Sequence, residues 1–151
     1  ASMKVFDLIG YAITATSPNE ALPNQFFLEK DKVVINRDRQ LSTAIDLLNN
    51  IEGEYEKPSQ PKFNLGGSAV KDKMFEKLEA LYNENKILDH GLEVGKQIAF
   101  VLSGGNTNFD NELSEDDLYN LELEAFMRLI QMPKTQERIK HTLETGKPLV
   151  N

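Results

Sequence analysis

The chain has no cysteine and only two histidines, His90 and His141, among 151 residues. The first absence excludes a disulfide framework, a thiolate zinc site and a thiol nucleophile. It fits a reducing compartment, and the cytoplasm is the expected location. The second excludes a metal site built from several imidazoles of one chain. No stretch approaches the ~18 unbroken apolar residues of a transmembrane helix, so no membrane span is expected. The opening "ASMKVFDLIG" has one lysine and an apolar stretch broken by Asp7, which is not the form of a secretory signal. Runs of β-branched residues are scarce too. Lys32–Ile35 in "KDKVVINRD" is the single candidate strand, and no second strand is in view to pair with it.

What is present is helical periodicity. "MKVFDLIGYAI" places Val5, Phe6, Leu8, Ile9 and Ala12 on a broad apolar face. Ser17, Pro18 and Glu20 form a capping-box start for a helix that Pro23 and Asn24 cut short. From Asp38 onward, Leu41, Ala44, Ile45, Leu48 and Ile51 step by threes and fours. "EGEYEKPSQPKFNLGGS" then interrupts the pattern with two prolines and three glycines. Ser68 is placed to cap a helix carrying Val70, Met74, Phe75, Leu78, Leu81 and Tyr82. A further helix runs from about Leu88, and Gly95 within it implies a close helix approach. Ser114 and Asp117 open the next one, whose apolar residues cover so wide an arc that it is expected to be largely buried. Pro133 opens the last, Gln136, Ile139 and Leu143 line its narrow face, and Gly146 ends it. The expected architecture is all-α, about six helices in a bundle-like arrangement with at most one short isolated strand. Residues 1–52 form an N-terminal helical segment, 53–67 a linker, and 68–151 a C-terminal helical module.

The net charge of −7 argues against broad nucleic-acid binding, which needs a cationic face. The charge is uneven, however. Residues 133–151 carry Lys134, Arg138, Lys140 and Lys147 against only Glu137 and Glu144. Such a cationic tip can hold a small anion. It also suits the negative end of a helix macrodipole, a purely local explanation.

Other motifs carry less chemistry. "NLGGSAV" sets two glycines before a helix, a possible phosphate cradle, but it lacks the P-loop lysine and reads more simply as a turn and cap. "SGGN" at 103–106 follows a helix and reads as its C-cap. The carboxylates of "DNELSEDDL" lack EF-hand spacing and suit a helix start. No spacing assembles a nucleophile with a base.

A resemblance adds to this reading. "ATS" with the following "EA", then Asn36-Arg37-Asp38, Glu124-Ala125-Phe126, "PKTQERI" and "TGKPL" with a final Asn together resemble the C-terminal part of bacterial multifunctional fatty-acid β-oxidation proteins. "HGLEVGKQIAFVLSGGN" looks like the helix and loop before that family's terminal helices, so the resemblance spans essentially the whole chain. Val150 departs from the family, which usually has arginine there, and Pro23 and Asn24 fall where a family helix continues. These proteins fuse a 3-hydroxyacyl-CoA dehydrogenase to an enoyl-CoA hydratase of the crotonase family. The resemblance implies that NAD and a CoA-thioester substrate belong to the parent protein, with catalytic elements N-terminal to the matched region. No residue is therefore named catalytic, and no cofactor or metal is assigned to this fragment.

What remains is the C-terminal helical part of a crotonase-like hydratase, with a structural role. It is expected to close the hydratase domain, to self-associate through the C-terminal helices, and to have the remainder of the β-oxidation protein as its partner. By analogy Lys147, with Lys140 and Arg138 as neighbours, contacts the phosphates of CoA. The alternative expectation is a free-standing helical protein-interaction module without catalytic activity.

Overall fold

The computed structural model describes residues 2–51, 53, 55–108 and 111–151. Ala1, Glu52, Glu54, Phe109 and Asp110 are outside the described residues, and with them parts of the expected 53–67 linker and of "DNELSEDDL". In chain order the elements are α1 (Ser2–Gly10), α2 (Pro18–Ala21), a 3₁₀ turn (Arg37–Arg39), α3 (Gln40–Asn49), β1 (Lys62–Phe63), α4 (Gly67–Asn83), α5 (Asp89–Leu102), β2 (Leu113–Ser114), α6 (Glu115–Ile130) and α7 (Pro133–Thr145). The fold is thus mostly helical, as the periodicity predicts. Among the described residues no helix is long and apolar enough to cross a membrane.

Two compact units are present. One comprises residues 14–59. In it, Ser17 Oγ accepts from the Glu20 amide at 3.3 Å and Pro18 opens α2. The Glu20 carboxylate reaches back one residue further than a capping box requires, to the Thr16 amide (2.9 Å) and hydroxyl (2.8 Å). Asn36 accepts from the Asp38 amide at 2.9 Å and starts the turn that leads into α3. The strand expected at Lys32–Ile35 does not form. Ile35 is 97% exposed and has no ladder partner. The apolar stripe of α3, Leu41, Ile45 and Leu48, is exposed.

The other unit comprises residues 1–13 with 60–151. Here α1 packs with α4 and α5, so it joins the helices after residue 60 and not the 1–52 segment assigned from sequence. The core is Phe6, Met74, Leu78 and Ala99. Gly95 of α5 faces Leu78, whose Cδ2 lies 2.5 Å from where a Cβ would stand. That is the close approach the mid-helix glycine predicts.

The ladder in this unit pairs β1 with β2 in antiparallel register, Lys62 with Ser114 and Phe63 with Leu113. At the head of α4 the sequence expectation needs correction. Gly66 (φ 83°) turns the chain two residues earlier than Ser68, the helix starts at Gly67, and no side chain caps it. The Gly67 amide donates to the Ser103 carbonyl at 3.0 Å. "SGGN" does cap α5, with the Gly105 amide donating to the Phe100 carbonyl at 2.8 Å. Ser114 and Asp117 form a reciprocal capping box at α6.

The α6 helix is less buried than its arc suggests. Ala125 is buried against α5, but Tyr119, Leu123, Phe126 and Met127 are exposed. A wide apolar arc says only that two faces are apolar, and the described residues cover one of them.

Candidate functional site

The cationic end of the chain is built on α7. Proline at its first position needs no hydrogen-bond acceptor, and Gly146 (φ 68°) closes it by donating its amide to the Thr142 carbonyl at 2.8 Å. Residues 147–151 then return along the helix. Asn151 Nδ2 donates to the Lys134 carbonyl (3.2 Å) and to the Glu137 carboxylate (2.9 Å). Arg138 Nε donates to Asn151 Oδ1 at 2.8 Å, and a second guanidinium nitrogen lies 3.4 Å from the Asn151 carbonyl. The tail is therefore clasped to α7 through one residue.

The three cations expected from sequence sit in different settings. Arg138 is half-buried, occupied with Asn151, and borders a cavity of about 180 Å³ between α1, α4 and α5. Asp7 and Lys77, which form an ion pair, share that wall. Lys140 is exposed and 3.9 Å from Glu144. Two residues along a helix is a rotation of ~200°, so Arg138 and Lys140 point to opposite sides of α7. Lys147 lies beyond the helix on a fixed backbone. Its amide donates to Thr145 Oγ1 (3.1 Å) and its carbonyl accepts from Thr142 Oγ1 (3.3 Å). Its side chain is exposed. An ammonium on so anchored a backbone can pair with a phosphate as a point charge.

Next to the clasp is a polar cleft of about 410 Å³ bordered by Tyr82, Asn85, Asp89, Lys134 and Asn151. The Tyr82 hydroxyl donates to Asp89 at 2.6 Å, and this bond to a carboxylate raises the tyrosine above its ordinary value. The buried His90, in the first turn of α5, has Nε2 3.0 Å from Thr135 Oγ1 of α7. Burial, then the Arg138 and Lys134 charges, push this imidazole below its usual value, with Glu93 and Glu137 opposing. His141 is on α7, six residues past Thr135. Among the described residues no group of three His, Asp or Glu side chains could hold a metal ion.

Sequence reasoning missed the Arg138–Asn151 clasp, the Asp7–Lys77 pair and the Thr135–His90 contact. Their partners stand 13, 70 and 45 residues apart, with no motif linking them.

Compared with known proteins, the chain is 30% identical over 152 aligned positions to a protein of Bacillus subtilis (strain 168) named "Probable 3-hydroxyacyl-CoA dehydrogenase". The match covers all of this chain but 19% of that protein, so the chain spans about a fifth of the length of its curated relative. No protein-family model matches. No solved structure matches either.

Proposed function

We propose that this chain is a helical, non-catalytic part of a fatty-acid β-oxidation protein with 3-hydroxyacyl-CoA dehydrogenase activity. The observation that carries this is the end-to-end match to one fifth of a much longer protein named for that activity. In the parent, NAD and the acyl-CoA thioester belong to the larger portion, and a crotonase-type enoyl-CoA hydratase precedes the helices described above. The parent would add water across a trans-2-enoyl-CoA and oxidise the resulting 3-hydroxyacyl-CoA.

The chain's own role is structural, closing the hydratase portion with that remainder as its partner, in the cytoplasm. Lys147 contacts a CoA phosphate, and Lys140 and Arg138 add to the local field. The clasp supports this reading. Asn151 holds the tail against α7, so the Lys147 ammonium is presented from a fixed backbone and not from a frayed end.

Two measurements test the reading. The coding sequence immediately upstream of the first codon should continue in frame into a hydratase core; a start codon at Met3 would instead support a free-standing interaction module. The isolated chain should turn over neither an enoyl-CoA nor a 3-hydroxyacyl-CoA with NAD. Robust turnover in either assay would overturn the structural role.

A further inference from the structure

The α6 helix carries an apolar stripe that the described residues leave open. Tyr119, Leu123, Phe126 and Met127 recur at helical spacing on one face, and all four are exposed. Along one edge of this stripe α1, α5 and α6 enclose an apolar groove of about 410 Å³, with Ile9, Ile98, Val101, Phe126 and Leu129 on its walls. Two polar groups interrupt the lining, Gln97 and Glu122. Gln97 Oε1 is buried and meets no donor among the described residues. Both groups call for a hydrogen-bond donor, and Glu122 calls for a positive one. The helix is acidic as a whole, with Glu115, Asp116, Asp117, Glu122 and Glu124 against Arg128.

The complementary surface is on the same chain. On α7, Ile139 and Leu143 stand one turn apart and form an apolar ridge, 39% and 83% exposed. Lys140 flanks the ridge and Lys147 lies just past its end. Among the described residues Lys140 has a 3.9 Å approach to Glu144, with most of its side chain in solvent.

From this match of apolar character and charge, we infer that the chain associates head to tail with a second copy of itself, the α7 ridge of one copy seated in the α1–α5–α6 groove of the next. Leu143 and Ile139 fill the apolar floor, and the Lys140 ammonium supplies the donor that Gln97 Oε1 and Glu122 require. An acidic apolar groove disfavours a second acidic groove, so a symmetric groove-to-groove pairing is opposed by charge. The contact is heterologous, each copy offering one groove and one ridge, and it builds a ring or an open chain of copies. It rests on no enzymatic assignment and can fail without touching the dehydrogenase reading.

Sedimentation velocity over a wide concentration range tests it. The chain should associate with rising concentration, and added salt should weaken association. Phe126→Asp spoils the groove, and Leu143→Asp spoils the ridge at a position too exposed to disturb folding. Each should weaken self-association by at least about tenfold. Circular dichroism would establish that both variants remain helical. Mixed together they should form a one-to-one dimer and nothing larger, because each supplies the half the other lost. A chain monomeric at every concentration would overturn the inference. So would undiminished association of Leu143→Asp, or a mixture that fails to pair. Loss of association in Phe126→Asp alone would mean that some other surface fills the groove.

Discussion

His90 Nε2 and Thr135 Oγ1 stand 3.0 Å apart and tie the first turn of α5 to the first turn of α7. The imidazole is buried, and of the charges acting on it Arg138 and Lys134 oppose its protonation more than Glu93 and Glu137 favour it. Its position at the positive end of the α5 dipole acts the same way.

Because folding lowers the His90 value, the unfolded chain binds the extra proton first as the pH falls below about 6.5. The stabilisation is complete above that pH and is lost as the pH falls through the lower folded value. Chemical denaturation at a series of pH values should show stability decreasing on acidification. A His90→Gln variant should be less stable at neutral pH but have a flatter profile through this window. An identical slope in both proteins would remove His90 as the titrating group.

Gly95→Ala should destabilise the second unit by ~1–3 kcal/mol, because the new methyl would meet Leu78 Cδ2 at 2.5 Å in a packed core. Leu78→Ala alone should cost ~2–5 kcal/mol through the space it leaves. Together the two should cost less than their sum, since each relieves the fault of the other. Urea midpoints of the four proteins close the cycle, and strict additivity would place the two residues out of contact.

Ser114→Ala should cost ~1 kcal/mol by removing the side-chain half of the α6 cap. The Ser114 hydroxyl, then its amide, hold the Asp117 carboxyl below the ordinary carboxylate range. The contribution of this pair is therefore present at neutral pH and lost as pH falls through that lowered value. NMR titration of Asp117 in both proteins measures it; the variant's carboxyl should move back up toward the ordinary value.

Lys147→Ala should weaken CoA binding by the intact parent protein by about tenfold, the loss of one exposed-to-partly-desolvated ion pair. Fluorescence or calorimetric titration with CoA would measure it, and dephospho-CoA would show whether the 3′-phosphate is the group contacted. Unchanged affinity for both ligands would take the tail out of the CoA site. Arg138→Lys is a useful companion, because lysine cannot reproduce the guanidinium's two approaches to Asn151. It should loosen residues 147–151, seen as faster amide exchange, while leaving the helices intact.

Local patterns identified most of this protein's helices and several of their ends. Pro133, Gly146, the Ser114–Asp117 box and the Gly104–Gly105 turn act through neighbours within five residues, so their chemistry is complete in the sequence. Gly95 could be anticipated as well, because a glycine inside a strong helix demands a close neighbour, although nothing local named Leu78. The identity of the cationic tail's residues was equally plain. Their arrangement was not: helical rotation separates Arg138 from Lys140, and Asn151 occupies the arginine.

Only tertiary structure decided which apolar faces are covered. The stripes of α1 and α6 look alike as sequence, yet Phe6 is in the core while Leu123 and Phe126 are exposed. Burial depends on what other segments bring to a face, and α1, which ends at Gly10, meets α4 and α5, which start only at Gly67 and Asp89. The sequence by itself determined that this is a helical, acidic chain with a basic end; the fold decided which of its surfaces remain available to a partner.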